Sequence, residues 1–87
     1  MKTDRYGLTK DFGELVEDTR ERAEKFKLTY VVYTATYPRR WWWPFRTVRY
    51  GRCLMLMLQK VTAAYAATDD ITVTTYMVVT KTGTVLL

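Results

Sequence analysis

Residues 28–37 read LTYVVYTATY, ten residues rich in β-branched and aromatic side chains and free of charge, glycine and proline. Such a composition favours an extended chain. In a strand, successive side chains point to opposite faces. Here both alternating sets are partly apolar, with Tyr30 and Val32 on one side and Val31, Tyr33, Ala35 and Tyr37 on the other. A strand apolar on both faces belongs inside a sheet and is covered on both sides. Pro38 has no N–H to give to a ladder and ends it. Residues 45–50 return as a second strand after the loop at 38–44, so the two form a hairpin with that loop at its tip.

Upstream, the spacing predicts a helix over about 11–26. Asp11 can cap it, and Glu14 three residues later suits a capping box. Phe12, Leu15, Val16, Thr19, Ala23 and Phe26 gather on one face. The other face carries mixed charges, Glu21–Lys25 among its i,i+4 pairs, which reads as a solvated surface and not as a catalytic cluster.

Downstream, residues 52–68 are dominated by helix-favouring Leu, Met, Gln, Lys and Ala. Leu54, Met57, Leu58, Val61 and Tyr65 make an apolar stripe, and the helix is expected to start after a break at Gly51. No side chain offers a good N-cap, and a continuous strand from Phe45 to Leu58 is the alternative. Residues 71–80, ITVTTYMVVT, alternate as a strand, with Ile71, Val73, Met77 and Val79 on one face and Thr72, Thr74, Tyr76 and Thr80 on the other. A turn at 81–83 leads to a short last strand at 84–87. The expected fold is a single α+β domain over residues 1–87, an N-terminal helix and an antiparallel sheet of about four strands in the order α-β-β-α-β-β. The alternative is a helix followed by a four-stranded meander.

The chain has 87 residues, no His and one Cys. A domain this small buries only about 60–65% of its unfolded surface, so its stability margin is thin. Without His there is no imidazole base and no common zinc site, and one Cys makes no internal disulfide. No nucleophile–base pair, carboxylate pair, phosphate loop or metal set can be assembled, so an enzyme is not expected and no cofactor, metal or small-molecule substrate is implied. Cys53 lies in the apolar run CLMLML and reads as a small hydrophobe. Asp69-Asp70 suits a turn better than a cation site. The first residues, MKTDRYGLTKDFGE, hold no apolar stretch of the secretory type. A cytoplasmic location is expected, that of the host if the protein is viral.

The formal net charge is +5, and it is unevenly placed. Acids and bases cancel over residues 1–27. Residues 28–87 hold the excess, with Arg39, Arg40, Arg46, Arg49 and Arg52 inside one window that no acid interrupts. Tyr37, Trp41, Trp42, Trp43, Phe45 and Tyr50 crowd the same window. Three adjacent tryptophans cannot all face one side of a strand, so at least one indole is expected to be open to a partner.

RRWWWPFR at 39–46 therefore carries the functional reading. Arginine supplies phosphate contacts, and Trp and Phe offer π faces to unpaired bases. Arg46, Arg49 and Arg52 could track a backbone along the second strand. The first expectation is a small non-enzymatic protein that contacts nucleic acid through the hairpin at 37–52. The second is a protein contact by the same hairpin, since Trp, Tyr and Arg are the residue types enriched at binding hot spots. That contact would be with a host factor blocked by a phage, virus or mobile element, or with a second copy in a homodimer. The third is an anionic membrane surface. Residues 39–46 resemble the core of the Trp/Pro/Arg-rich cathelicidin antimicrobial peptides, over eight residues of the 87. That resemblance implies Trp at the lipid interface and Arg on anionic headgroups. It lacks the Pro before the Trp run and the second flanking Arg pair, and it does not extend to the rest of the chain. Against all three stands a hairpin whose tryptophans fold back over the core with the arginines solvated around them.

Overall fold

The computed structural model describes residues 2–3, 7–39 and 47–86. Helix α1 (Phe12–Phe26) starts at Asp11, whose Oδ1 accepts the Glu14 N–H at 3.0 Å. That bond satisfies one of the free donors of the first turn. Strand β1 (Tyr30–Tyr37) is followed by β2 (Thr47–Leu54), a 3-10 turn η1 (Met55–Met57), α2 (Leu58–Asp69), β3 (Thr72–Thr80) and β4 (Gly83–Leu86). The sheet order is β2-β1-β3-β4, all neighbours antiparallel. The class is thus α+β in the order α-β-β-α-β-β, and β1 is interior as its composition demands. Val31, Val32, Tyr33 and Ala35 are all buried.

β2 and β3 run parallel to each other on either side of β1, so η1 and α2 form a crossover between them. The two helices cover opposite faces. Leu15, Val16 and Ala23 of α1 pack on Val32, Met77 and Val79. Val61 and Tyr65 of α2 pack on a cluster of Leu8, Tyr33, Ala35 and Ile71. Val32 and Tyr33 thereby feed two separate cores from adjacent positions of one strand.

Four features depart from the sequence reading. The segment after Gly51 is not helical at once, because β2 continues through Gly51 to Leu54 and α2 begins only at Leu58. Gly51 lies opposite Tyr33, and a Cβ there would sit 2.7 Å from the Tyr33 ring and 2.7 Å from Leu8 Cδ2. The glycine makes room for the ring and does not break the strand. The alternation of β3 is also interrupted. Val32 pairs with Met77 but Tyr33 with Thr75, so Tyr76 is an extra residue in a β-bulge. A bulge puts one additional residue into the strand and reverses the faces beyond it. Ile71 and Val73 therefore face α2, whereas Met77 and Val79 face α1. At the start of the chain, Leu8 is buried and Thr9 makes an antiparallel bridge to Tyr50, with both N···O distances 2.8 Å. This covers the middle of the exposed edge of β2, a common protection against edge-to-edge pairing. Phe26, finally, continues the α1 stripe past the end of the sheet and is exposed.

Candidate functional site

Nine residues were expected to form the binding surface. Arg40, Trp41, Trp42, Trp43, Phe45 and Arg46 lie outside the described residues. Arg39, Arg49 and Arg52 are described, and strand geometry separates two of them. Arg52 pairs with Val32 and Arg49 with Ala35, so they project from opposite faces of the sheet.

Arg52 lies on the α1 side, and its Nη1 donates to Asp18 Oδ2 and, at 3.5 Å, to Thr19 Oγ1. Asp18 also accepts from Arg22 Nε at 3.1 Å, one turn further along α1. The hydrogen bond from Arg52 holds the Asp18 carboxyl below its usual range despite the cost of burial, and both guanidinium charges add to the effect. Arg52 therefore braces α1 against β2. Spacing alone could not show this, because Asp18 and Arg52 are 34 residues apart.

The linkage has a definite sign. A carboxylate whose folded pKa is lowered stabilises the protein above its unfolded pKa of about 3.9, and that contribution disappears as the pH falls through the folded value. The pair is partly exposed to solvent and is screened accordingly. Arg52→Ala is expected to cost about 1 kcal/mol at neutral pH. It should also flatten the loss of stability between about pH 5 and 3. Urea midpoints measured across that range check both expectations. Parallel acid limbs for wild type and variant would show that the brace is not populated.

Arg49 faces the other way and donates to the carbonyl of Val48 at 3.2 Å. It borders a shallow cleft with Lys2, Leu8, Lys10, Asp11 and Glu14, between the first residues of the chain and the start of α1. Neither Arg39 nor Arg49 forms an ion pair with a described carboxylate. Asp70 lies at the same end of the sheet, because Thr72 pairs with Thr36 near the end of β1. It caps α2 in the left-handed conformation (φ 55°) with no ion pair to either arginine. The turn reading fits Asp70, whereas Asp69 is the last residue of α2.

The α1 side of the sheet changes character towards the hairpin. The Phe12 ring meets Tyr50 and Tyr76, with both centroid separations 5.0 Å. Beyond this aromatic set lie the cross-strand rows Tyr50/Thr34/Thr74 and Val48/Thr36/Thr72, which carry no charge. Val48, Thr72, Thr74 and Tyr76 are exposed there. The polar set Thr72, Thr74, Tyr76 and Thr80 is legible in the alternation of residues 71–80, whereas the contact of Tyr76 with Phe12 is not. Tyr76 keeps the face of Thr72 and Thr74, and the bulge after it adds Met77 to the same side.

On the α2 side, Cys53 and Tyr33 stand close together in one core. Burial pushes the Cys53 thiol up, so it is not a thiolate at neutral pH. Burial, reinforced by the hydrogen bond with Tyr65, pushes the Tyr33 phenol far above its ordinary range. Both are packing groups. Among the described residues no three His, Cys, Asp or Glu side chains come together as a metal site. No family model matches the chain, and comparison with curated proteins and with solved structures returns no match.

Proposed function

We propose that the protein is a non-enzymatic binding protein whose hairpin end contacts nucleic acid, with phosphates on Arg39, Arg40, Arg46 and Arg49 and unpaired bases on the tryptophans and Phe45. The observation that supports this reading is the distribution of charge compensation. Arg52 and Arg22 share the carboxylate of Asp18, whereas Arg39 and Arg49, at and beside the hairpin, pair with no described carboxylate. Arg39 and Arg49 thereby leave positive charge uncompensated by any described carboxylate at the hairpin end of the sheet, which suits the neutralisation of phosphates. The uncharged Thr and Tyr rows beside it add no carboxylate that would repel a backbone. Arg52 drops out of the phosphate set in this reading, because its charge serves the α1 brace.

Fluorescence anisotropy with a labelled single-stranded oligonucleotide and the matching duplex tests it. Affinity is expected to fall steeply with salt and to favour the single strand. Arg39/Arg40/Arg46→Ala should lower the slope of log K against log salt by about 2, at about 0.7 per phosphate contact. Arg52→Ala should leave the slope unchanged. Absence of binding to either oligonucleotide at low salt would overturn the proposal. Capture of a protein from lysate that persists after nuclease, and is lost in the triple variant, would instead assign the hairpin to a protein partner.

A further inference from the structure

At the end of the sheet opposite the hairpin, the chain exposes apolar side chains that no core claims. Leu56 is 93% exposed, Phe26 51% and Met55 48%, and Leu28 and Met57 are exposed as well. They come from two segments that meet in space. α1 ends at Phe26, Lys27 turns the chain in the left-handed conformation (φ 56°), and Leu28 leads into β1. β2 ends beside the start of β1, where the Met55 N–H donates to the Thr29 carbonyl at 3.1 Å, and η1 turns outward from there. None of the three η1 residues is buried. The result is an exposed apolar tip in which Leu56 is the most exposed side chain.

The charged residues that flank these segments are lysines, with Glu24 in the last turn of α1 the one acid among them. Lys25 holds its Nζ 5.4 Å from the centre of the Phe26 ring. Lys27 separates Phe26 from Leu28, and Lys60 follows Leu56 by one turn in the first turn of α2. The β3–β4 turn at the same end adds Lys81. Between Lys25 and Thr68 the chain contains no carboxylate, and Glu24 is the nearest one along the sequence. Lysines beside exposed Leu, Met and Phe suit an interface apolar below and anionic above. A second copy docked on this tip would bring like charges together. A protein partner would have to supply a concave acidic pocket for a side chain that stands almost wholly clear of the surface, whereas a bilayer deforms around it.

We infer that this tip inserts shallowly into the interfacial region of an anionic lipid bilayer, with Leu56 and its methionine neighbours among the acyl chains and Lys25, Lys27 and Lys60 at the headgroups. The contact is peripheral, since no helix among the described residues is long and apolar enough to cross a membrane. It is also independent of the hairpin, which lies at the other end of β1. Each lysine near an anionic surface strengthens association about fivefold.

Co-sedimentation of the whole chain with vesicles of phosphatidylglycerol and phosphatidylcholine in equal parts, and with pure phosphatidylcholine vesicles, tests the inference. Binding to the anionic vesicles is expected, weaker at high salt and much reduced on the neutral ones. Leu56→Asp should weaken it at least about tenfold, by removing the inserted side chain and adding a repelled charge. Lys27→Glu/Lys60→Glu should do the same. Leu56 lies outside both cores, so an unchanged thermal midpoint is expected and shows that the variant is folded. The inference is overturned if wild type ignores anionic vesicles. It is also overturned if Leu56→Asp binds as wild type does, or if only Arg39/Arg40/Arg46→Ala loses binding. Light scattering that shows a dimer dissolved by Leu56→Asp, without vesicle binding, would assign the tip to a second copy instead.

Discussion

Gly51→Ala is expected to lower the thermal midpoint by about 10 °C, the shift that roughly 2 kcal/mol produces in a domain of this size. Intrinsic preference argues for the opposite sign. Glycine inside a strand is worse than alanine by about 0.5–1 kcal/mol, because it loses more backbone freedom on folding. Packing decides the outcome. The added Cβ would lie 2.7 Å from Tyr33 Cζ, from the Tyr33 hydroxyl oxygen and from Leu8 Cδ2, closer than such atoms approach. Tyr33 and Leu8 are both buried, so neither can swing into solvent. Overpacking of this kind costs about 1–3 kcal/mol and exceeds the propensity gain. Gly51→Val should be worse, since its methyls meet the same ring. Calorimetry of wild type and both variants checks the order. An alanine variant as stable as wild type would mean that the ring does not lie across this position.

Leu8→Ala is expected to cost about 3 kcal/mol, within the usual range for a large buried aliphatic side chain. That is a large share of the stability of a small domain. Leu8 is almost wholly buried among Tyr33, Ala35 and Ile71, and it anchors the segment whose Thr9 pairs with Tyr50. Its loss should therefore also free the edge of β2. Amide exchange at Thr9 and Tyr50 should accelerate more than exchange in β1. Because Leu8 is one of the two side chains in the way at Gly51, Leu8→Ala/Gly51→Ala should be less destabilised than the two single variants summed. Additivity within about 0.5 kcal/mol would place the whole of the Gly51 clash on Tyr33. Denaturant midpoints of the four proteins complete the cycle.

Both predictions concern residues whose importance is not visible in the local pattern. Gly51 reads as punctuation in sequence, since glycine after a strand and before Leu, Met and Ala resembles a helix boundary. It is instead the cavity for a cross-strand ring contributed by β1, and only the register of β1 on β2 reveals that. Leu8 is an isolated apolar residue in a polar, charged beginning, with no periodicity to mark it. A single bridge and one buried side chain are too short a signal for any window.

Sequence alone was sufficient where the cause is local. The Asp11 cap and its bond to the Glu14 N–H, the buried stripe Leu15, Val16, Thr19 and Ala23, and the two-faced strand 28–37 depend on periodicity and on hydrogen bonds within a turn. So did the late helix, whose composition favours it and whose start lacks a side-chain cap. The concentration of arginine between residues 39 and 52, with no acid between them in sequence, is likewise a property of the chain. Tertiary structure alone decided what depends on distant partners. The bulge at Tyr76 moved Met77 and Val79 to the α1 core. Strand pairing put Arg49 and Arg52 on opposite faces, and Asp18, far away in sequence, took Arg52 out of the basic set. The hydrogen bond of Met55 to the Thr29 carbonyl put η1 beside Leu28 at the end of the sheet where α1 finishes. A side chain's face is fixed by its neighbours' register, and its charge is free or spent according to what the fold brings within hydrogen-bond reach.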